Sequence, residues 1–159
     1  YGGNVRVYIG SNHKISYENK KEDDFLEKFK IMEKNISSWQ KDMRLFLEEK
    51  IAKHGKLRAK AFPGRAAIMV KLLGLDENHI SAVYEITGSK KVHNYVPGTK
   101  IPILPESELY ASEDISLPIL NLAWHLPSEV RANLIKNGYL GEVFDIKEAQ
   151  FGEEPVIPE

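Results

Sequence analysis

Residues 56–85, KLRAKAFPGRAAIMVKLLGLDENHISAVYE, decide the fold. They read as a short strand over 57–61, a Pro63-Gly64 loop, a helix over 65–73 stopped by Gly74, and a second strand over 79–84 that runs into Glu85. This is the first half of a nucleotide-handling βαβ unit. Backbone N–H groups at the start of a helix are unpaired and carry partial positive charge, so the loop over 62–66 is a place where a phosphate or another anion can sit. The glycine pattern is not the dinucleotide fingerprint: Ala61, Phe62, Pro63, Gly64, Arg65, Ala66 and Ala67 stand where GxGxxG is expected. Spacing alone gives an α/β domain with one candidate loop and no named reaction.

Working outward toward the N-terminus, the apolar positions Phe25, Phe29, Met32, Ile36, Trp39, Met43 and Phe46 recur at spacings of four and three, and Ile51 extends the stripe. One long helix is expected, with Asp23 and Asp24 at its positive end, Lys53 and His54 at its negative end, and Gly55 as the stop. Asn35, Ser37 and Ser38 weaken its middle and leave a kink or a break open. The stripe can form a coiled coil with another chain; packing on the domain's own sheet or a neighbouring domain is the preferred reading, because the repeat is short and mixes Phe, Met and Trp. Before the helix, Val5, Val7 and Ile9 alternate as a strand over 1–9, and a polar loop over 10–21 follows. The chain opens on Tyr1 and enters a strand at once, which suggests a segment of a longer chain; trimming or tagging is the competing explanation.

Toward the C-terminus, residues 87–95 form a polar connection and Pro97-Gly98 a turn before Ile101 and Ile103. A short helix is expected near Pro105, Glu106, Glu108 and Leu109. A buried strand over 115–122 is interrupted by Pro118, a helix begins at Pro127 with Val130, Leu134 and Ile135 on its apolar face before Gly138, and Val143 and Phe144 form a last strand. A tail over 151–159 carries Pro155 and Pro158. Strands alternating with helices argue a mostly parallel sheet in a three-layer, Rossmann-like α/β domain, preceded by an N-terminal strand and a long helix. The whole of 1–159 reads as one domain, with 1–55 as the N-terminal strand and helix, 56–150 as the Rossmann-like core and 151–159 as the tail.

Composition narrows the function classes. The 159 residues are 42% hydrophobic and suit one globular domain. Twenty-two basic against 23 acidic residues give a net charge of -1, so nothing global attracts nucleic acid or an anionic membrane. The absence of cysteine excludes disulfide and thiolate chemistry and permits a reducing compartment. No apolar run reaches the roughly 20 residues that span a bilayer and no signal peptide opens the chain, so a cytoplasmic location is expected.

In an open parallel sheet, ligands sit beyond the carboxyl ends of the strands. Three places should therefore converge: the loop over 62–66, Glu85, and the Trp124-His125 corner. Arg65 can hold a phosphate through its charge and fork of donors, or be a surface arginine. Glu85 can accept hydrogen bonds from ribose or sugar hydroxyls, or be a solvated turn residue. Trp124 and His125 can stack on a ring and donate a hydrogen bond, or simply pack the loop. The five histidines show no metal-ligand spacing, and no GxSxG, SxxK or P-loop pattern occurs, so no metal site and no complete catalytic machine is read from the residues.

Four segments in order, GGNVRVYIG at 2–10, GKLRAKAFPGRAAIMVKLLGL at 55–75, YVPGTKIPILPESEL at 95–109 and LAWHLPSEVRANLIKNGYLGEVF at 122–144, resemble the C-terminal domain of S-adenosylmethionine-dependent sugar C-methyltransferases. The most specific parts are the PGTxIPI string at 97–103 and the AWH…E corner. The family's middle loop has the form GAxAKGNTLLN; here Gly64, Arg65, Ala66 and Ala67 stand at AKGN, keeping the positive charge on Arg65 and losing the asparagine, and Lys60 replaces an aromatic or apolar residue.

The resemblance implies a parent with a zinc-binding N-terminal module, a central domain that binds S-adenosylmethionine, and a C-terminal Rossmann-like domain that helps enclose a nucleotide-linked keto-sugar. It implies deprotonation beside the sugar carbonyl and attack of the enolate carbon on the sulfonium methyl, with the acting groups in the preceding domain. This segment is then expected to be inactive alone and to bind no cofactor itself. Its expected partners are the nucleotide-sugar, contacted through Pro63, Gly64, Arg65, Glu85, Trp124 and His125, and the catalytic domain of the same chain. Two other readings stand beside this one: a non-catalytic interaction module assembling through the helical stripe, and a stand-alone NAD-binding protein, which the missing glycine fingerprint opposes.

Overall fold

The computed structural model describes Gly10 and residues 24–147. The expected strand over 1–9, all but Gly10 of the polar loop after it, and the tail over 151–159 lie outside the described residues. Helix α1 covers Phe25–His54 as one unbroken element of 30 residues, about 45 Å long at 1.5 Å per residue. In the weak middle the Ser37 hydroxyl donates to the Glu33 carbonyl at 3.0 Å, a back-bond that competes with the helix ladder without breaking it. Gly55 ends the helix with φ +77°, a left-handed value that glycine takes without strain, and its N–H bonds the Ile51 carbonyl at 2.8 Å.

The chain then runs β1 (Leu57–Lys60), α2 (Ala66–Leu72), β2 (Ile80–Glu85), β3 (Ile103–Pro105), α3 (Glu106–Tyr110), β4 (Ile119–Asn121), α4 (Pro127–Lys136) and β5 (Val143–Asp145). All five strands are parallel, in the order β3-β2-β1-β4-β5. From β1 the chain adds β2 and β3 on one side and then returns to lay β4 and β5 on the other. The topological switch therefore falls between β1 and β4, whose registers pair Lys60 with Asn121.

Side-chain alternation assigns the two faces. Leu57, Ala59, Ile80, Val83, Leu120 and Phe144 pack with Met43 and Leu47 of α1 and Ala66 and Val70 of α2. Ala82, Tyr84 and Ile119 pack on the opposite face with Leu109 of α3, Val130 and Leu134 of α4, and Tyr139. The result is the expected three-layer α/β arrangement, with α1 and α2 on one face and α3 and α4 on the other.

Two elements differ from expectation in extent. The strand expected over 115–122 is confined to Ile119–Asn121, because Pro118 has no N–H for the ladder. Instead the Ile115 carbonyl accepts from Leu140 and Gly141 at 2.9 and 3.1 Å. The α1 stripe divides in two: Met43 and Leu47 are fully buried, with Trp39, Phe46 and Ile51 packed beside them, whereas Phe25, Phe29, Met32 and Ile36 are exposed among the described residues. Own-sheet packing thus accounts for the second half of the helix and not for the first.

Candidate functional site

Four polar or charged residues are buried among the described residues, and each is the last residue of a strand: Lys60 on β1, Glu85 on β2, Asn121 on β4 and Asp145 on β5. Burying such groups is costly unless each finds a partner, so their concentration at one edge needs a structural reason. That edge is the carboxyl edge, where parallel sheets place their ligands. The loops leaving β1 and β4 start side by side, and Leu122 N–H donates to the Lys60 carbonyl at 3.0 Å.

The first loop opens on Ala61, which adopts φ +62° without being glycine. A left-handed alanine costs roughly 1 kcal/mol, so the surrounding structure must hold it there. Glu85 and Lys91 do so. Glu85 Oε1 accepts the Phe62 N–H at 3.1 Å and the Lys91 ammonium at 3.2 Å, and Oε2 accepts the Ile86 N–H at 3.1 Å. Lys91 Nζ also donates to the Phe62 carbonyl and lies 5.9 Å from the centre of the buried Phe62 ring. Beyond this point Pro63 is half-buried, Gly64 and Arg65 are exposed, and Arg65 immediately precedes α2. Gly64 has no heavy atom within 4 Å of where a Cβ would stand and no positive φ.

The second loop is held by Asn121, which is fully buried. Its Oδ1 accepts the Ala123 N–H at 2.9 Å, and its Nδ2 donates to the Ala123 carbonyl at 3.3 Å and to Asp145 Oδ1 at 2.5 Å. Arg131 of α4 completes the group, donating to Asp145 Oδ2 at 2.6 Å and to the Val143 carbonyl at 2.5 Å. Trp124 follows, half-buried against the core, and its ring meets the exposed His125 ring nearly edge-on at 5.7 Å.

Lys60 closes the row. Its Nζ lies 2.7 Å from Glu106 Oε2 at the start of α3, and both side chains are largely buried. Next to this pair, burial and then the Glu106 charge push the Tyr110 phenol up to about 12, and its hydroxyl donates to Asn133 Oδ1 at 2.7 Å. Burial also pushes Tyr84 and Tyr139 above the ordinary tyrosine value. These are neutral hydroxyls that serve packing and hydrogen bonding.

Of the six residues expected to contact substrate, the structure puts Pro63, Gly64 and Arg65 on one loop and Trp124 and His125 on the next, at neighbouring strand ends. Glu85 lies beneath the first loop, and its oxygens face backbone N–H groups and Lys91. Sequence reading missed Lys60 as a buried cation, and it missed Asn121 and Asp145 entirely. For Asn121 and Asp145 the available signal was position, a polar residue closing a short apolar strand; Lys60 ends Leu57-Arg58-Ala59-Lys60 and carried no such signal.

Among the described residues no three His, Asp or Glu side chains cluster as metal ligands, and the chain has no cysteine for a thiolate zinc site. The acid that would take the ribose of an adenosyl group at the end of β2 is Glu85, and its carboxylate is committed to Phe62, Ile86 and Lys91. No helix of the described residues is long and apolar enough to cross a membrane.

Fold and edge together define a Rossmann-like α/β domain with its switch point between β1 and β4 at the carboxyl edge. The chain belongs to the family described as the C-methyltransferase C-terminal domain, whose model matches residues 1–142. That span holds both loops and all six expected contact residues, and it ends just before β5. No curated protein matches the chain.

Proposed function

We propose that this domain forms part of the nucleotide-sugar site of an S-adenosylmethionine-dependent C-methyltransferase acting on a nucleotide-linked keto-sugar. The observation that carries the reading is the pair of loops at the switch point, with Arg65 on one and the Trp124-His125 corner on the other. A diphosphate would take the guanidinium and the adjoining backbone N–H groups, and a sugar or base ring would lie on the aromatic corner.

In this reading the domain binds and orients, and supplies no base. The methyl donor belongs to a preceding methyltransferase domain and zinc to an N-terminal module, with the catalytic domain of the same chain as the docking partner and the cytoplasm as the location. The family membership supports the transferase class, and the loop pair supports the binding role.

Calorimetry on the methyltransferase that carries this domain tests it. Arg65→Ala should weaken nucleoside diphosphate-sugar binding by roughly 10-fold or more, since a hydrogen bond to a charged group contributes about 1.5–3 kcal/mol. Unchanged affinity in both Arg65→Ala and His125→Ala would remove these loops from the site.

One observation favours a second reading, assembly through α1: Phe25, Phe29, Met32 and Ile36 continue the buried stripe along an exposed face. Sedimentation at high concentration separates the two, because a strict monomer counts against assembly between copies.

A further inference from the structure

The buried carboxyl edge contains the same device twice. In each of the two loops, the residue two positions past the strand end has both its backbone N–H and its backbone carbonyl held by side chains. Phe62 follows Lys60 by two, and its N–H goes to Glu85 and its carbonyl to Lys91. Ala123 follows Asn121 by two, and both of its groups go to the Asn121 amide. Each clamped residue immediately precedes the residues that face the ligand in the reading above: Pro63 to Arg65 after Phe62, and Trp124 with His125 after Ala123.

Side-chain chemistry suits the task. A clamp on one whole peptide residue needs an acceptor for the N–H and a donor for the carbonyl. Asparagine carries both on one amide; Glu85 carries only acceptors and is completed by Lys91. The amide of Asn121 is itself fixed, because Asp145 accepts its second N–H bond and Arg131 holds Asp145. An asparagine with no exposed surface and all these bonds made leaves the backbone at Ala123 one arrangement.

We infer that Asn121, oriented by Asp145 and Arg131, and Glu85, completed by Lys91, are positioning residues that set the two ligand loops before any ligand arrives. The inference rests on the proposed nucleotide-sugar reading for what the loops are set to receive, and on the hydrogen bonds alone for the setting itself. It reassigns Glu85 from ligand acceptor to loop anchor. It also gives the loops a fixed geometry in the free protein, so little ordering cost remains for binding.

The test reads loop geometry without ligand. The chain has two tryptophans, Trp39 and Trp124, so Trp39→Phe leaves Trp124 as the sole emitter at the corner, and Trp124→Phe leaves Trp39 on α1 as a control. Asn121→Asp removes the donor to the Ala123 carbonyl and sets a second carboxylate against Asp145. It should red-shift Trp124 emission and raise its quenching by acrylamide, while Trp39 emission and the far-ultraviolet circular dichroism stay as in the parent. Asp145→Asn, which keeps an acceptor for Asn121 and loses the Arg131 ion pair, should shift Trp124 in the same direction by less, and it serves if Asn121→Asp does not fold. Unchanged Trp124 emission and quenching in a folded variant would overturn the inference, as would an equal change at Trp39, which would mark general loosening.

Nucleotide-sugar calorimetry on the methyltransferase that carries this domain, with the same substitutions introduced, distinguishes this inference from the reading beneath it. Trp124 shifted with Arg65→Ala silent in binding leaves the positioning standing and removes the ligand. Trp124 unmoved with Arg65→Ala weakened does the reverse.

Discussion

Replacing Glu106 by glutamine isolates the buried ion pair at the carboxyl edge. Lys60 is 3% exposed, and Glu106 Oε2 lies 2.7 Å from its ammonium. Glutamine keeps the volume and can still accept one hydrogen bond, but it leaves the lysine charge without a counter-ion in a buried setting. Removing one partner of such a pair costs about 3–5 kcal/mol. The Glu106 side chain retains 19% exposure, which admits some water and places the expected loss near the lower end, about 3 kcal/mol. For a domain of this size that corresponds to a fall in melting temperature of roughly 10 °C.

Urea unfolding followed by circular dichroism gives the quantity directly, with an unchanged m-value confirming that the unfolded reference is the same. The double variant Lys60→Met with Glu106→Gln should recover most of the loss, because an apolar replacement of a buried pair is often neutral or better. A Glu106→Gln loss below about 1 kcal/mol, typical of an exposed pair, or a double variant as unstable as the two singles summed, would refute the reasoning.

Three further outcomes follow from the geometry. Gly141→Ala should destabilise by roughly 1–3 kcal/mol or prevent folding, since its Cβ would stand 1.9 Å from the Leu117 carbonyl oxygen, a backbone atom that cannot swing aside; thermal unfolding checks this. Gly64→Ala should leave stability within about 0.5 kcal/mol, because the space is open, yet weaken nucleotide-sugar binding if the ligand approaches that backbone; melting and calorimetry on one preparation separate the two. At high pH, Tyr110 holds its proton in the folded chain up to about 12, above the unfolded value near 10. Its contribution is therefore complete below pH 10 and declines as pH rises between the two values, and Tyr110→Phe should flatten that part of the stability curve.

What could be read from sequence was whatever local chemistry decides. Gly74 and Gly138 at helix ends and Pro127 at a helix start act through their own backbone, and each marks a boundary that the structure keeps to within a residue or two, while Pro97-Gly98 makes the turn inside the Tyr95–Pro102 bridge that leads into β3. The parallel character of the sheet followed from the alternation of elements, whereas the strand order β3-β2-β1-β4-β5 is set by long-range pairing that no local pattern carries.

The interior of the site was not legible in this way. Lys60 pairs with Glu106 across 46 positions and Asn121 with Asp145 across 24, and nothing local distinguishes a lysine that will be buried from one that will not. Glu85 was singled out by position, and its engagement with Phe62, 23 residues earlier, exists only once the two strands are paired. The first half of α1 has the same cause: its stripe is as regular as the buried half, and among the described residues the core that covers Met43 and Leu47 does not reach Phe25 to Ile36.

Amide hydrogen exchange on the methyltransferase that carries this domain, with and without a nucleoside diphosphate-sugar, tests the central claim most directly. Ligand should slow exchange in both switch-point loops, at 62–66 and 122–126, and leave the turn over 76–79 at the opposite edge of the sheet unchanged. Binding that leaves both loops unprotected, or that protects only the opposite edge, would contradict the account.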